Sequence, residues 1–302
     1  MNDRAARLRD EAADGLYALG WGAVKYLPEG VADRVFQRIA DRTWAGRGAR
    51  VRQLERNLAR VLGVTPDDPR VRRLSRKTMR SYLRYWKESF RLPVMGRERI
   101  LSGMHVTGED QIFKALADGR GVVLALPHMG NYEHAGAWLV LQGQPITTVA
   151  ERLKPESLFE RFVAYRESLG FEILPLTGSE VSVFGVLARR LRQTRVVCLV
   201  ADRDLSETGV EVDFFGSPAR MPGGPAALAV QTKAALLPVT LWYEGDGWGA
   251  RVHEEIPDPG EGPRKARIRA MTQSLADAFA EGISAHPEDW HMLQKVWVED
   301  LS

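Results

Sequence analysis

Apolar residues in the first hundred positions recur at intervals of three and four, which is the spacing of one face of a helix. The clearest sets are Val35, Phe36, Ile39 and Ala40, followed by Leu54, Leu58, Val61 and Leu62. A run of turn-forming residues at 65–69 separates them from a further helix predicted near 70–92. The pattern therefore predicts that residues 1–100 are helices joined by short turns.

The helix predicted near 70–92 carries two stripes of different chemistry. The apolar stripe is Met79, Leu83, Trp86 and Phe90, and the basic stripe is Arg76, Arg80, Arg84, Lys87 and Arg91. A basic amphipathic helix of this kind can lie on an anionic membrane. The same pattern is equally typical of a helix that packs its apolar stripe on the core while its arginines face water. Both interpretations stay open at this point.

From residue 100 onward, short apolar runs alternate with helical patterns. The predicted strands are 121–127, 145–150, 171–175, 195–201 and 236–243, with 249–254 as the second arm of a hairpin. The predicted helices are 131–143, 156–169, 180–193, one that begins near 223, and 264–285. This alternation implies an α/β fold with a mostly parallel central sheet flanked by helices. We interpret 1–302 as one domain, with a basic amphipathic helical segment at 1–100 and an α/β core at 101–302.

Composition and charge narrow the classes of function. The chain has 302 residues and one cysteine, Cys198, which excludes a disulfide framework and a multi-cysteine metal site. No apolar run is long enough for a membrane span, and the N-terminus lacks the apolar stretch of a secretory signal, so we expect a cytoplasmic protein.

Residues 1–100 hold 23 Lys and Arg against 12 Asp and Glu, whereas the rest hold 19 against 27. Such a basic third predicts an anionic partner. Nucleic acid is not expected, because its recognition motifs are absent.

The residues that can carry chemistry follow the strand predicted at 121–127. His128 comes directly after this strand, and Glu133 follows five positions later. Ligands of open α/β sheets bind at the carboxyl ends of the strands. Across a loop-to-helix corner, Glu133 can accept a hydrogen bond from one imidazole nitrogen and leave the other free as a base. A structural histidine is the alternative, and a metal site with His134 lacks an evident third ligand.

Together with the preceding strand, His128 and Glu133 resemble the HxxxxD/E motif of glycerolipid-type acyltransferases. Further matching blocks are AER at 150–152, FVAYRESLGFEILPL at 162–176, ADRD at 201–204, DFFG at 213–216, LPV at 237–239 and HPEDW at 286–290. They are most similar to the branch that contains lipid A late acyltransferases and phosphatidylinositol mannoside acyltransferases. The motif ends in Glu rather than Asp, and an FPEGTRS-like block is missing. These departures favour a sugar hydroxyl over glycerol phosphate as the acceptor.

The resemblance implies a reaction and its partners. It implies that a palmitoyl-type chain moves from acyl-CoA, a co-substrate, to a mannose hydroxyl of a phosphatidylinositol mannoside, with no metal and no other cofactor. A thioester is already activated, so a positioned base can drive direct hydroxyl attack without a covalent intermediate. The expected location is peripheral, on the anionic cytoplasmic face of the plasma membrane. A lysophospholipid or lipid A-type acyltransferase and a non-catalytic membrane-binding protein are the alternatives.

The resemblance also points to individual site residues. His128 is the expected base, Glu133 is expected to stabilise the imidazolium, and Asp202 is expected to orient the acceptor sugar or Arg203. The residues expected to bind acyl-CoA or the acceptor are His128, Glu151, Arg152, Arg166, Arg203, Thr208 and Gln231. The alternatives are a solvated helix arginine for Arg166 and a structural Asp–Arg pair for Asp202.

Overall fold

The computed structural model describes residues 24–150, 156–175, 182–204 and 209–301. Three of the expected site residues, Glu151, Arg152 and Thr208, lie outside the described residues.

The described chain forms helices and strands whose bounds follow the predicted ones closely. The helices are α1 (Glu29–Ala45), α2 (Ala49–Leu62), α3 (Pro69–Arg91), α4 (Arg97–Ser102), α5 (Asp110–Ala117), α6 (Tyr132–Leu141), α7 (Glu156–Ser168), α8 (Val183–Arg192), α9 (Gly224–Thr232), α10 (Arg264–Ala285) and α11 (Val298–Leu301). The strands are β1 (Met104–Thr107), β2 (Val122–Leu126), β3 (Ile146–Ala150), β4 (Glu172–Pro175), β5 (Val196–Val200), β6 (Val210–Phe214), β7 (Ser217–Met221), β8 (Ala235–Glu244) and β9 (Gly247–Val252). Helices α5 and α11 and strands β1, β6 and β7 were not predicted. The three strands are short and half-exposed and contain no continuous apolar run.

Seven strands form one sheet in the order β1-β9-β8-β2-β5-β3-β4. Neighbouring strands are parallel except for the hairpin β8–β9, which is antiparallel. The prediction of a mostly parallel sheet flanked by helices is therefore confirmed. Strands β6 and β7 pair separately as an antiparallel ribbon.

Both faces of the sheet are covered, and this explains the continuous apolar runs of the central strands. Alternate residues of β2 enter different apolar clusters, because successive side chains of a strand point to opposite faces. Val123 and Ala125 belong to the cluster that includes Leu187, Leu228 and Leu275 of α8, α9 and α10. Val122, Leu124 and Leu126 belong to the cluster that contains residues of α6.

The apolar residues of α1 that recur at helical spacing divide between the core and the surface. Phe36 and Ala40 are buried, whereas Val35 and Ile39 are 40% and 44% exposed. A helix turns about 100° per residue, so Val35 and Ile39 lie on the flank of the buried face. This part of the helical pattern does not form the core.

The basic stripe of α3 does not simply face water. Arg76 and Arg80 each donate two hydrogen bonds to the carboxylate of Asp41 on α1, at distances of 2.6–3.0 Å. Lys87 is buried and pairs with Asp33, which also lies on α1. These three residues of the stripe therefore link α3 to α1. Within the described ranges, no helix combines the length and the hydropathy that crossing a bilayer requires.

Candidate active site

Two neighbouring parallel strands bring His128 and Asp202 together. Leu126, the last residue of β2, pairs with Val200, the last residue of β5. His128 and Asp202 each come two residues after these positions, so both lie at the same level beyond the carboxyl edge of the sheet. The strand register alone therefore places an imidazole beside a carboxylate.

The Asp202 side chain is fully buried and accepts three hydrogen bonds. Its Oδ1 lies 2.5 Å from Nδ1 of His128, and its Oδ2 accepts from the backbone N–H of His128 and the indole N–H of Trp290, both at 2.9 Å. Burial would raise the pKa of the Asp202 carboxyl, but the imidazole of His128 and the bond from Trp290 outweigh it and lower the pKa. Asp202 is therefore a carboxylate at neutral pH.

This carboxylate determines which nitrogen of His128 can act as a base. An ionised carboxylate only accepts hydrogen bonds, so Nδ1 of His128 must carry the proton that it donates to Asp202. The lone pair then lies on Nε2, which makes no hydrogen bond with any residue that the structure describes. The ring is 34% exposed, so a substrate hydroxyl can reach Nε2. The arrangement can take a proton from that hydroxyl and stabilise the imidazolium that forms.

The expected hydrogen bond between Glu133 and His128 is not formed. Glu133 instead accepts from Arg166 of α7, with Nε at 2.9 Å and Nη2 at 2.5 Å from Oε1. Burial alone would lower the pKa of Arg166, but the carboxylate of Glu133 outweighs it, so the pKa of Arg166 is raised and its guanidinium stays charged. Glu133 lies in the first turn of α6, which directs its side chain towards α7. Arg166 is correspondingly not a solvated helix arginine.

Residues after α10 hold this site in place, and their contacts were not predicted from the sequence. Trp290 donates to Asp202, and the backbone N–H of His291 donates to the carbonyl oxygen of His128 at 2.7 Å. Nε2 of His291 lies 2.8 Å from Oγ of Ser81 on α3, which ties this segment to the N-terminal helices. The HPEDW block at 286–290 was the available signal, but its spacing does not reveal that it contacts Asp202.

An apolar cavity of about 240 Å³ opens beside His128. Leu126, Trp138 and Phe171 are among its lining residues, and His128, Glu133 and Arg166 form a polar part of the wall. Phe214 of the DFFG block does not line this cavity and packs in the cluster on the other face of the sheet. The cavity can accommodate an alkyl chain whose reactive end lies at His128.

The remaining expected site residues differ in position. Arg203 lines the same cavity as His128. Gln231 is exposed near the end of α9, and the chain then enters β8 at Ala235, which pairs with Val122 at the start of β2. The length of β2 separates these two edges of the sheet, about 16 Å at 3.3 Å per residue. Gln231 is therefore not brought to His128.

Two other side chains that the sequence singled out lie apart from this chemistry. His134 stacks on Trp248 with ring centroids 3.6 Å apart, and burial lowers its pKa to about 4. Burial raises the pKa of the Cys198 thiol to about 12, so the thiol stays protonated and is not a nucleophile.

Comparison with known proteins identifies the class of enzyme. Residues 2–299 match the family of bacterial lipid A biosynthesis acyltransferases. The chain belongs to this family. It is also 53% identical to the phosphatidylinositol mannoside acyltransferase of Mycolicibacterium smegmatis over 299 residues, which cover 98% of this chain and 94% of the relative. The enzyme of the same name from Mycobacterium tuberculosis is 53% identical over 296 residues, covering 96% and 90%. The protein is an acyltransferase, as the resemblance implied.

Proposed function

We propose that this enzyme transfers a palmitoyl-type chain from acyl-CoA to a mannose hydroxyl of a phosphatidylinositol mannoside, with His128 as the general base. The observation that carries the proposal is the pairing of His128 with the buried carboxylate of Asp202 at the wall of an apolar cavity. The names of its relatives support the acceptor. The motif glutamate, Glu133, takes a structural role in this proposal.

The proposed reaction needs only groups of the protein and its two substrates. Nε2 of His128 takes the proton of the acceptor hydroxyl while the hydroxyl oxygen attacks the thioester carbonyl carbon. The tetrahedral intermediate collapses, the carbon–sulfur bond breaks, and the thiolate of CoA receives the proton from the imidazolium. Asp202 stabilises the imidazolium between these two proton transfers.

The cavity beside His128 is proposed to hold the acyl chain. Its lining is mostly apolar, and each methylene group removed from water contributes about 0.8 kcal/mol to binding. A chain that lies in the cavity keeps its thioester carbonyl next to Nε2, where the acceptor hydroxyl must arrive.

The flank of α1 is proposed to dock the enzyme on the anionic cytoplasmic face of the plasma membrane. Val31, Val35 and Ile39 are 39–44% exposed and lie four residues apart, within about 80° of each other around the helix. Arg34 and Arg38 are exposed next to this stripe. Apolar side chains beside arginines suit a bilayer with anionic headgroups. The arginines of α3 contribute less, because Asp41 neutralises part of their charge.

The test is acyl transfer by the purified full-length protein. Palmitoyl-CoA is incubated with a phosphatidylinositol mannoside, a lysophospholipid and a lipid A precursor, each in vesicles, and the products are identified by mass spectrometry while thiol release is followed. We expect the acylated mannoside with one equivalent of released CoA. A product from another acceptor, with none from the mannoside, would overturn the assigned acceptor, and an absence of CoA release would overturn the reaction.

A further inference from the structure

Two adjoining cavities lie on the His128 side of the molecule in addition to the apolar one. The first, of about 190 Å³, is lined by His128 and by aromatic residues that include Tyr85 and Tyr132. The second, of about 760 Å³, shares Arg50, Arg203, Leu293 and Gln294 with the first. The larger cavity therefore adjoins the smaller one, which has the imidazole of His128 in its wall.

The larger cavity is strongly basic. Among the residues that the structure describes, its lining contains five cationic side chains, Arg50, Arg56, Arg203, Arg220 and Lys295, and one carboxylate, Asp204. Arg50, Arg220 and Lys295 form no ion pair with any carboxylate in the described ranges. Two arginines of the nearby helices, Arg60 and Arg72, do pair with carboxylates. Positive charge collected in one concave wall repels itself unless an anion is bound.

From this arrangement we infer that the larger cavity is a subsite for the phosphate groups of one of the two substrates. It rests on the proposed function in one respect, that the reacting end of the substrate lies at His128. Arginine is the preferred partner for phosphate, because its planar fork donates two hydrogen bonds to neighbouring oxygens. The shared ligand chemistry is a phosphate ester, which both the nucleotide end of acyl-CoA and the headgroup of a phosphatidylinositol lipid carry.

Binding of two soluble fragments to the full-length protein distinguishes these sources. Adenosine 3′,5′-bisphosphate represents the donor and glycerophosphoinositol represents the acceptor, and each is titrated by calorimetry at low and high salt. Lys295→Gln and Arg220→Gln remove cations from the cavity, and Arg264→Gln, an exposed arginine at the start of α10, is the matched control. Thermal unfolding checks that each variant is folded. Lys295 is exposed, so its replacement should disturb folding less than that of Arg220.

We expect one fragment to bind, and each cavity variant to weaken that binding about tenfold, as the loss of a hydrogen bond to a charged group does. The control should bind like the wild type, and added salt should weaken binding by the wild type more than by the variants. The fragment that responds identifies the substrate. No binding of either fragment, or equal binding by the wild type and the cavity variants, would overturn the subsite.

The transfer assay separates this inference from the proposed function. For the identified substrate, the cavity variants should raise KM more than they lower kcat, because they act on binding and not on the proton transfer. If the wild type shows no transferase activity but the cavity variants still lose fragment binding, the proposed function is refuted and the phosphate subsite stands. Normal transfer with an unchanged KM in both variants would refute the subsite alone.

Discussion

Replacing Asp202 by asparagine tests the central claim about the site, because it removes one charge and keeps the shape. In the native enzyme the Asp202 carboxylate accepts a hydrogen bond from Nδ1 of His128, so Nε2 is free. The amide of asparagine can instead donate to Nδ1. That bond favours the tautomer with the proton on Nε2, which cannot accept a proton from the acceptor.

The size of the effect follows from the geometry. The 2.5 Å contact between Oδ1 and Nδ1 places the centres of the two charges about 4 Å apart when His128 is protonated. At an effective dielectric constant of about 20, unit charges at this distance attract each other by about 4 kcal/mol. Such a loss at the transition state lowers the rate about 10³-fold. We therefore expect kcat of Asp202→Asn to fall by about 10²–10⁴-fold.

The assay is thiol release from palmitoyl-CoA in the presence of the mannoside acceptor. Near-ultraviolet circular dichroism and thermal unfolding establish that the variant is folded, and Asp67→Asn, an exposed position on a turn, is the matched control. A folded Asp202→Asn enzyme that retains more than about a third of the wild-type kcat would show that the carboxylate does not support His128.

Four further results are expected. His128→Ala should lose about 10²–10⁴-fold in rate while remaining folded, and retention of a tenth of the rate would exclude it as the base. Glu133→Gln should lower the free energy of unfolding by about 3 kcal/mol, because it leaves the largely buried guanidinium of Arg166 without its carboxylate; an unchanged melting temperature would contradict this role. Trp290→Phe should raise the pKa of the Asp202 carboxyl, because it removes a hydrogen bond to the carboxylate. As the pH is lowered, the variant should therefore lose activity at a higher pH than the wild type, and identical pH profiles would refute the contact. Replacing Val35 and Ile39 together by glutamate should weaken flotation with vesicles that contain phosphatidylinositol by at least about tenfold, with activity in detergent as the control; equal flotation would mean that another surface docks.

Much of the fold is local and could be predicted from the sequence. Helix α10 begins and ends at the predicted residues, 264 and 285. The ends of β2, β3, β4 and β5 lie within one residue of the predicted ends. These elements carry strong periodicity or continuous apolar runs. The ribbon β6–β7 was missed because its residues alternate between buried and exposed and include charges.

The site could be predicted only in part. His128 was found because it directly follows a buried strand, and Asp202 was recognised as lying at a strand end for the same reason. Their contact depends on β5 being the sheet neighbour of β2, although β3 and β4 come between them in the chain. No local pattern encodes that order. The same limit applies to Trp290, which is 88 positions from its partner Asp202.

The sequence by itself determined the α/β class, the position of His128 directly after a buried strand and the basic character of the N-terminal third, because these depend on residue types and on spacing along one element. The tertiary structure alone decided the partners of the charged groups. Arg166 pairs with Glu133, and Asp202 pairs with the imidazole of His128. Asp41 pairs with Arg76 and Arg80 of α3. Each pairing joins residues from separate elements, and a buried or half-buried charge is stable only with the partner that packing brings within hydrogen-bond distance.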